Sequence, residues 1–557
     1  MDNTMFVRFL AQNAVSSDYF MAFIALFAGL GAFLLGFKLL SDNMEKLASD
    51  GLKRMFGKTA KSKIAGVGIG VASTAIVQSS AITTVMVVGF VNMGIMSLPQ
   101  ATAVIMGANI GTTITAQIAS LQSLPVIEIV TVLTAVGVFM EMISKKDKVK
   151  SVGFILAGLG LVFMGLQYMS DSMSVFKTSA ELQKILGSVT NPFLLLLLGV
   201  GFTALVQSSS VITTIVISMV GSGLVIGSGG NSVLYLILGT NIGSCVTALI
   251  SSIGANRNAK RACVIHLMFN TFGSIVFFIL LTCWPSFMDM TFAALFPDAG
   301  RQIAMFHTFF NVLCTVIFLP FTNVFVKLSG IIVREKKEKE LAQTGLIDKR
   351  MLLTPSVAIE QLKKECVRMA DMSMTNLETA FKAYVRRDES VTEDILQNNE
   401  EIAVLSKEIT DYLIRISGED ISMEDEKIVS ALHHNLGDIV RISEIADNVT
   451  KYTHREVKYN LVFSSGVNEQ VEEMFEKLRG LYVAVRDVME NRERADLSAV
   501  DALEDEVDGM RKKLINDHIE RLNGGYCKPE NSSVFINLVS NLERAGDHLS
   551  YLAHSVE

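Results

Sequence analysis

The sequence predicts an all-α protein in two parts: a polytopic membrane half with inverted repeats and two re-entrant hairpins, then a soluble helical bundle. Three observations carry that reading. Half of the 557 residues are apolar and 19% are charged, yet Ile185–Asn256 holds no Asp, Glu, Lys or Arg, and Val71–Met140 holds only Glu128. Runs of that length exceed the roughly 20 apolar residues that cross a bilayer. The apolar half also repeats itself, and from Arg334 onward charge returns with helical periodicity. A wholly soluble enzyme, a fibrous protein and a disordered chain are excluded.

The opening MDNTMFVRFLAQN lacks a basic stretch and no small-residue cleavage site follows, so no removable signal peptide is expected. The repeats come next. Ala28–Met44 (AGLGAFLLGFKLLSDNM) matches Ala157–Met173 (AGLGLVFMGLQYMSDSM) with eight identities in seventeen, at a spacing of 129 residues. At the same spacing Thr74–Ser80 (TAIVQSS) matches Thr203–Ser209 (TALVQSS), and Gly107–Ala116 (GANIGTTITA) answers Gly239–Ala248 (GTNIGSCVTA) at 132. Three blocks in one order define a duplicated unit over 1–333, with copies at about 20–143 and 152–283 and an extra helix near 302–328.

Basic residues orient the copies. The loop Asp42–Lys63 carries Lys46, Lys53, Arg54, Lys58, Lys61 and Lys63, whereas its equivalent Asp171–Pro192 carries only Lys177 and Lys184. Equivalent loops therefore fall on opposite sides. Placing Lys145–Lys150, Arg257–Arg261 and Arg334–Lys339 in the cytoplasm requires an odd number of crossings per copy. Seven crossings plus two hairpins satisfy this, with the N-terminus outside and the C-terminus inside. Inverted repeats with broken helices point to a secondary transporter whose site lies between the repeats; the structural alternative is an old duplication without transport.

Within the apolar runs stand Gln78, Ser79 and Ser80 with Thr83 and Thr84, and Gln207, Ser208, Ser209 and Ser210 with Thr213 and Thr214. Polar groups in hydrocarbon either bond helices together or line a wet cavity. Two half-helices meeting at Gln-Ser-Ser would present unpaired N–H groups and a positive dipole end to an anion, and side-chain and carbonyl oxygens to sodium. Asn109, Thr112 and Thr113, with Asn241 and Ser244, stand in the third block, where N-x-G-[TS] suggests a local helix break; close helix packing at the glycines is the other reading. His266 and His307 lie in H-x-x-F-N motifs and are expected to be neutral, each bonding with Asn across helices. The six cysteines show no zinc spacing and read as small buried residues, and nothing supports nucleic-acid binding.

The doubled QSS blocks with their Thr-Thr sequels, the G-x-N-I-G blocks and the paired H-x-x-F-N motifs resemble the bacterial form of the type II sodium-dependent phosphate cotransporter family, over about residues 20–330. The resemblance implies sodium-coupled phosphate symport by alternating access, with Gln78, Ser79, Ser80, Gln207, Ser208, Ser209 and Ser210 at the phosphate and sodium sites. Ala81 stands where the second copy has Ser210, so one hydroxyl is missing from the first tip.

After a linker over 334–354, residues 355–557 read as amphipathic helices of a bundle. Asn435–Asn448 resembles Val539–Ser550, and L-E-R-x-G-D at Leu542–Asp547 resembles the PhoU family, a pair of three-helix bundles associated with phosphate regulation. That resemblance implies a metal cluster, divalent or iron, on E-x-x-x-D pairs. Glu504, Asp508, Glu543 and Asp547 keep the pattern, whereas Val440 and Ala403 break it in the first half. The expectation is a multi-pass cell-membrane symporter of inorganic phosphate and sodium, not an enzyme, with a cytoplasmic regulatory domain through which a homo-oligomer or a phosphate-regulatory partner could form. A membrane-anchored phosphate sensor is the alternative.

Overall fold

The computed structural model describes residues 3–57, 62–93, 96–123, 127–334, 349–419, 421–461, 463, 465–490, 497–527 and 529–555. Among these every regular element is helical. The chain divides into two units, Met1–Leu341 and Ala342–Glu557. The linker expected over 334–354 lies mostly outside the described residues, as do Lys58, Lys61, Lys336, Lys337 and Lys339 of the orienting basic clusters.

In the first unit the two copies of the A-G-L-G block lie on α1 (Asn3–Gly57) and α6 (Asp147–Lys177), which pack together. They cross antiparallel at glycine. A Cβ on Gly29 would lie 2.8 Å from the carbonyl oxygen of Gly165, and one on Gly36 2.6 Å from that of Gly158. Gly158 and Gly165 are the repeat equivalents of Gly29 and Gly36, so the contact is reciprocal. Each block's first glycine meets the other block's third.

Between these long helices each copy contributes the same set. The first has α2 (Lys63–Val77), α3 (Ser80–Asn92), α4 (Leu98–Ser120) and α5 (Ile127–Ile143). After the short α7 (Ala180–Ser188), the second has α8 (Pro192–Val206), α9 (Ser209–Gly221), α10 (Ser232–Gly243), α11 (Cys245–Ser251) and α12 (Arg257–Cys283). Two single-turn helices, α13 (Phe287–Met290) and α14 (Phe292–Leu295), lead to α15 (Ala299–Phe318) and α16 (Thr322–Ile332). Large apolar side chains such as Phe20, Phe27, Phe139, Phe193 and Leu205 are exposed on this unit, as suits contact with lipid tails rather than water.

Five segments are long and apolar enough to cross a membrane: Asp18–Ala48, Asp147–Lys177, Ser232–Ser251, Arg257–Cys283 and Ala299–Ile332. By length and composition among the described residues these are five, or six if the bent pair Ala180–Ser188 and Pro192–Val206 is one span, against the seven crossings expected. The other two fall on α4, whose Asn, Thr and Gln side chains lower its hydropathy over 23 residues, and on α5, which has 17. The break suggested at the third block is a second correction. Helix α4 runs unbroken through Gly107–Ala116, and only the second copy breaks, at Ser244 between α10 and α11.

The third-block glycines serve packing in both copies. A Cβ on Gly107 would lie 2.1 Å from the Val67 carbonyl oxygen, and one on Gly70 2.0 Å from that of Val104. The second copy repeats the pair, with Gly199 and Gly239 each 2.1 Å from a carbonyl oxygen of the facing helix, Leu236 and Leu196 respectively. The third-block glycines therefore bring α2 onto α4 and α8 onto α10 at backbone distance, as small residues do between membrane helices.

The second unit is six helices. α17 (Pro355–Arg386), α18 (Thr392–Ser417) and α19 (Met423–Lys458) form one three-helix set, and α20 (Ser465–Glu490), α21 (Leu497–Asn523) and α22 (Pro529–His554) the other. The sets meet through α17 with α20 and α19 with α22. There Phe381 and Phe475 stack with ring centroids 4.1 Å apart. Helix α19 begins with the Ser422 hydroxyl accepting from the Asp425 amide and carries Glu424, Asp425 and Glu426 in its first turn, all favourable at a positive helix end.

At the other end of α19, buried Glu456 faces Arg387, the left-handed cap of α17, with 3.6 Å between Arg387 Nε and a Glu456 carboxylate oxygen. Burial pushes the Glu456 carboxyl up to about 7, and Arg387 only partly offsets this. Because the folded value lies above the unfolded one, stability present in acid is lost as pH rises toward 7. Glu456→Gln is therefore expected to stabilise the α17–α19 set at pH 8, on the order of 1–3 kcal/mol, with the gain closing below pH 5; hydrogen exchange on α17 and α19 reads this. In the membrane unit, Gly199→Ala should cost about 1–3 kcal/mol by overpacking. Gly201→Ala, on the same helix with no atom within 4 Å of its Cβ, should cost nothing in the same detergent melt.

Candidate functional site

Both Gln-Ser-Ser segments interrupt a helix in the same way. Helix α2 ends at Gln78, which takes the left-handed conformation with φ 52° and ψ 21°. Ser79 is extended at φ −144° and ψ 107°, and its hydroxyl accepts the Ile82 amide to start α3. In the second copy Gln207 has φ 58° and ψ 23°, and Ser208, at φ −146° and ψ 108°, caps α9 through the Val211 amide. A non-glycine residue at positive φ is strained. That glutamine stands there twice, where glycine would be relaxed, marks the side chain as needed.

The break leaves donors facing one place. At each tip the first two amides of the second arm, those of Ser80 and Ala81 or Ser209 and Ser210, have no acceptor within their own helix. The capping serines accept with oxygen and keep their hydroxyl protons to donate. Together with the positive dipole end, this gives each tip an anion-binding character without a basic residue.

The copies differ in detail. Gln78 is half-buried, accepting from the Thr115 hydroxyl of α4 at 3.1 Å, while the Thr74 hydroxyl donates across the break to Thr83 at 3.1 Å. Gln207 is exposed. Helices α3 and α9 both have 13 residues, but Thr-Thr occupies their fourth and fifth positions in the first and fifth and sixth in the second. Ile212 thus stands opposite Thr203, and the Thr203, Thr213 and Thr214 hydroxyls are buried without a partner among the described residues, as is Thr84. The tips share a backbone and not a set of side-chain bonds.

Packing interleaves the copies. Helix α9 lies against α4 and α3 against α11, so each second arm rests on a helix of the other copy. Asn109 and Thr112 bond back to carbonyls of α4, Thr113 to that of Ile110, and Ser244 to that of Asn241. Asn241 also meets His307 Nε2 of α15 at 3.3 Å. In the other H-x-x-F-N motif, Asn270 donates to Cys245 Sγ at 3.3 Å and to the His266 carbonyl at 3.2 Å. Sequence reading missed two residues here. Gln117 Nε2 donates to the Ala304 carbonyl at 3.0 Å and the Thr308 hydroxyl at 2.7 Å on α15, and Gln122 accepts from Ser218 of α9 at 3.2 Å. Both stand outside the repeated blocks; their only signal was an amide in an apolar run.

In the second unit α21 and α22 bring together Glu504, Asp508, Glu543 and Asp547. Burial and then neighbouring carboxylates raise the Glu504 and Glu543 carboxyls above their ordinary range. Lys512 and Arg511 lower that of Asp508. Arg511 reaches both Asp508, at 3.2 Å, and Glu543, at 3.0 Å, and Lys512 pairs with Asp508. Among the described residues no three acidic, histidine or cysteine side chains are placed to share an ion. With Arg511 and Lys512 paired to Asp508 and Glu543, those two carboxylates do not fit the expected metal cluster.

Residues 32–171 and 173–291 match the family model described as Na+/Pi-cotransporter, and residues 366–453 and 471–556 match the PhoU domain. The chain is 28% identical over 308 residues to the uncharacterized protein YqeW of Bacillus subtilis (strain 168), covering 55% of this chain and 96% of that one. It is 20% identical over 540 residues to YjbB of Escherichia coli (strain K12), which is named for inorganic phosphate export, covering 96% and 97% of the two chains. Over 137 residues it is 34% identical to sodium-dependent phosphate transport protein 2A of Mus musculus, covering 23% of this chain and 21% of that one. No solved structure matches.

The strained glutamines make a test of stability against site chemistry. Gln207→Gly should raise the melting temperature by relieving positive φ, by about 1 kcal/mol. Gln78→Gly should gain less, because it also loses the Thr115 bond.

Proposed function

Because this chain belongs to the Na+/Pi-cotransporter family through its membrane unit and carries a PhoU domain, we propose that it is a sodium-coupled inorganic phosphate symporter of the cell membrane. The observation that carries the reading is the duplicated break at Gln78-Ser79 and Gln207-Ser208. Free amides and capping hydroxyls at each tip suit the oxygens of phosphate, while Gln78, Gln207 and the freed carbonyls supply the hard oxygen ligands that sodium takes.

Gln78, Ser79, Ser80, Thr83, Thr84, Gln207, Ser208, Ser209, Ser210, Thr213 and Thr214 are assigned to this site, with Asn109, Thr112, Thr113, Asn241 and Ser244 behind them. No covalent step is needed. The antiparallel, reciprocal glycine contact between α1 and α6 supports an inverted arrangement of the copies, and alternating access follows if one copy rocks against the other about that crossing. The difference between a half-buried Gln78 and an exposed Gln207 suits a state in which one tip is engaged and the other is not. The PhoU domain is assigned to the cytoplasm as a regulatory arm.

Direction is set by the summed free energies of sodium and phosphate. An inward sodium gradient draws phosphate in, and a high internal phosphate level can drive it out. The name of YjbB, which is similar along nearly the whole chain, supports testing both.

In proteoliposomes with an inward sodium gradient, labelled phosphate should accumulate, and potassium at equal ionic strength should not replace sodium. Ser208→Ala should lower uptake by about tenfold or more, as expected for loss of a charge-assisted hydrogen bond, without preventing insertion. Sodium-independent flux, or unchanged uptake by Ser208→Ala, counts against the mechanism.

A further inference from the structure

The PhoU domain holds a cavity of 730 Å³ that plays no part in transport as described above. It lies where α19 hands over to α20 and α21 to α22, and its walls include Tyr459, Phe463, His518, Arg521, Tyr526 and Glu530. Arg521 is its unusual member. The guanidinium Nε and Nη2 are buried and have no hydrogen-bond acceptor among the described residues. Other arginines of this domain, Arg368, Arg387, Arg486 and Arg511, each reach a carboxylate. The position of Arg521 in the last turn of α21 gives it a favourable helix dipole, but a dipole does not satisfy N–H groups held away from water. A guanidinium edge in that condition matches the paired oxygens of a phosphoryl group.

The rest of the wall sets the ligand's other end. His518 is buried, its Nε2 3.1 Å from the Ser532 hydroxyl and its ring centroid 4.6 Å from that of Phe535. Burial and the nearby Arg521 charge favour its neutral form, so Arg521 is the anionic group's anchor. Glu530 repels a bare dianion and accepts from hydroxyl or amino groups. Tyr459 and Tyr526 line the cavity and are 64% and 87% exposed, with Lys458 Nζ 5.6 Å from the Tyr459 ring centroid, so Tyr526 offers the freer ring for stacking on a planar partner. The volume falls in the usual range for small organic ligands, roughly 300–1,000 Å³, far more than orthophosphate occupies.

We propose that this cavity is a regulatory site for a nucleoside phosphate, with the phosphoryl group on Arg521, the base against Tyr459 and Tyr526, and sugar or base donors on Glu530. The assignment does not rest on the transport reading, since binding is measured without flux. The test is titration calorimetry on the full chain in nanodiscs with AMP, GMP, adenosine and inorganic phosphate. AMP or GMP should bind saturably, at least about tenfold more tightly than adenosine, and should still bind with the membrane site saturated by inorganic phosphate.

Arg521→Gln should remove most of the advantage of AMP over adenosine. Tyr526→Ala, at a side chain too exposed to matter for folding, should weaken both. No saturable binding by either nucleotide, equal affinity for adenosine and AMP, or AMP binding unchanged in both variants overturns the proposal.

Discussion

Backbone-to-backbone contact at glycine is the constraint on which the membrane unit depends. In lipid, apolar side chains gain little by meeting one another, so helices associate through close packing and hydrogen bonds. Gly70 with Gly107, Gly199 with Gly239, and the Gly29–Gly165 and Gly36–Gly158 crossings let carbonyl oxygens approach where any Cβ would collide. Only with α2 and α8 held so tightly can each stop at a glutamine in mid-unit and restart as a new helix.

The break is costly in two ways that the site uses. Positive φ at Gln78 and Gln207 stores strain, and the amides at each restart lack intrahelical acceptors. Interleaving of the copies supports those breaks, because α3 rests on α11 and α9 on α4. Strain and unmet donors at matching positions of two copies are what a binding site between them requires. The offset of the Thr-Thr pair by one position puts Ile212 where the first copy has Thr83, so the Thr74–Thr83 bond has no counterpart in the second copy.

The second unit works by different physics. Its helices bury apolar stripes in water, and its charged residues settle into pairs. Arg511 between Asp508 and Glu543 shows how one arginine on a helix face replaces what an acidic cluster would otherwise need. Arg521, on the same helix, has its Nε and Nη2 buried without an acceptor among the described residues, and that directs attention to a ligand.

Much was legible in the sequence because duplication is visible without structure. The matched A-G-L-G, Gln-Ser-Ser and G-x-N-I-G blocks, the charge-free runs and L-E-R-x-G-D determined an all-helical chain, a membrane part joined to a PhoU domain, and the residues at the tips. Tertiary structure alone decided what the third-block glycines do. The sequence suggested a helix break at both, yet α4 runs straight through and the second copy is interrupted only at Ser244, while the glycines face α2 in the first copy and α8 in the second. It also decided the partners of Gln117, Gln122 and His307, which lie up to 191 residues away in the chain. Local pattern fixes which face of a helix is apolar and where it must stop; which distant atom meets an amide depends on how the helices cross, and no spacing within one segment encodes that.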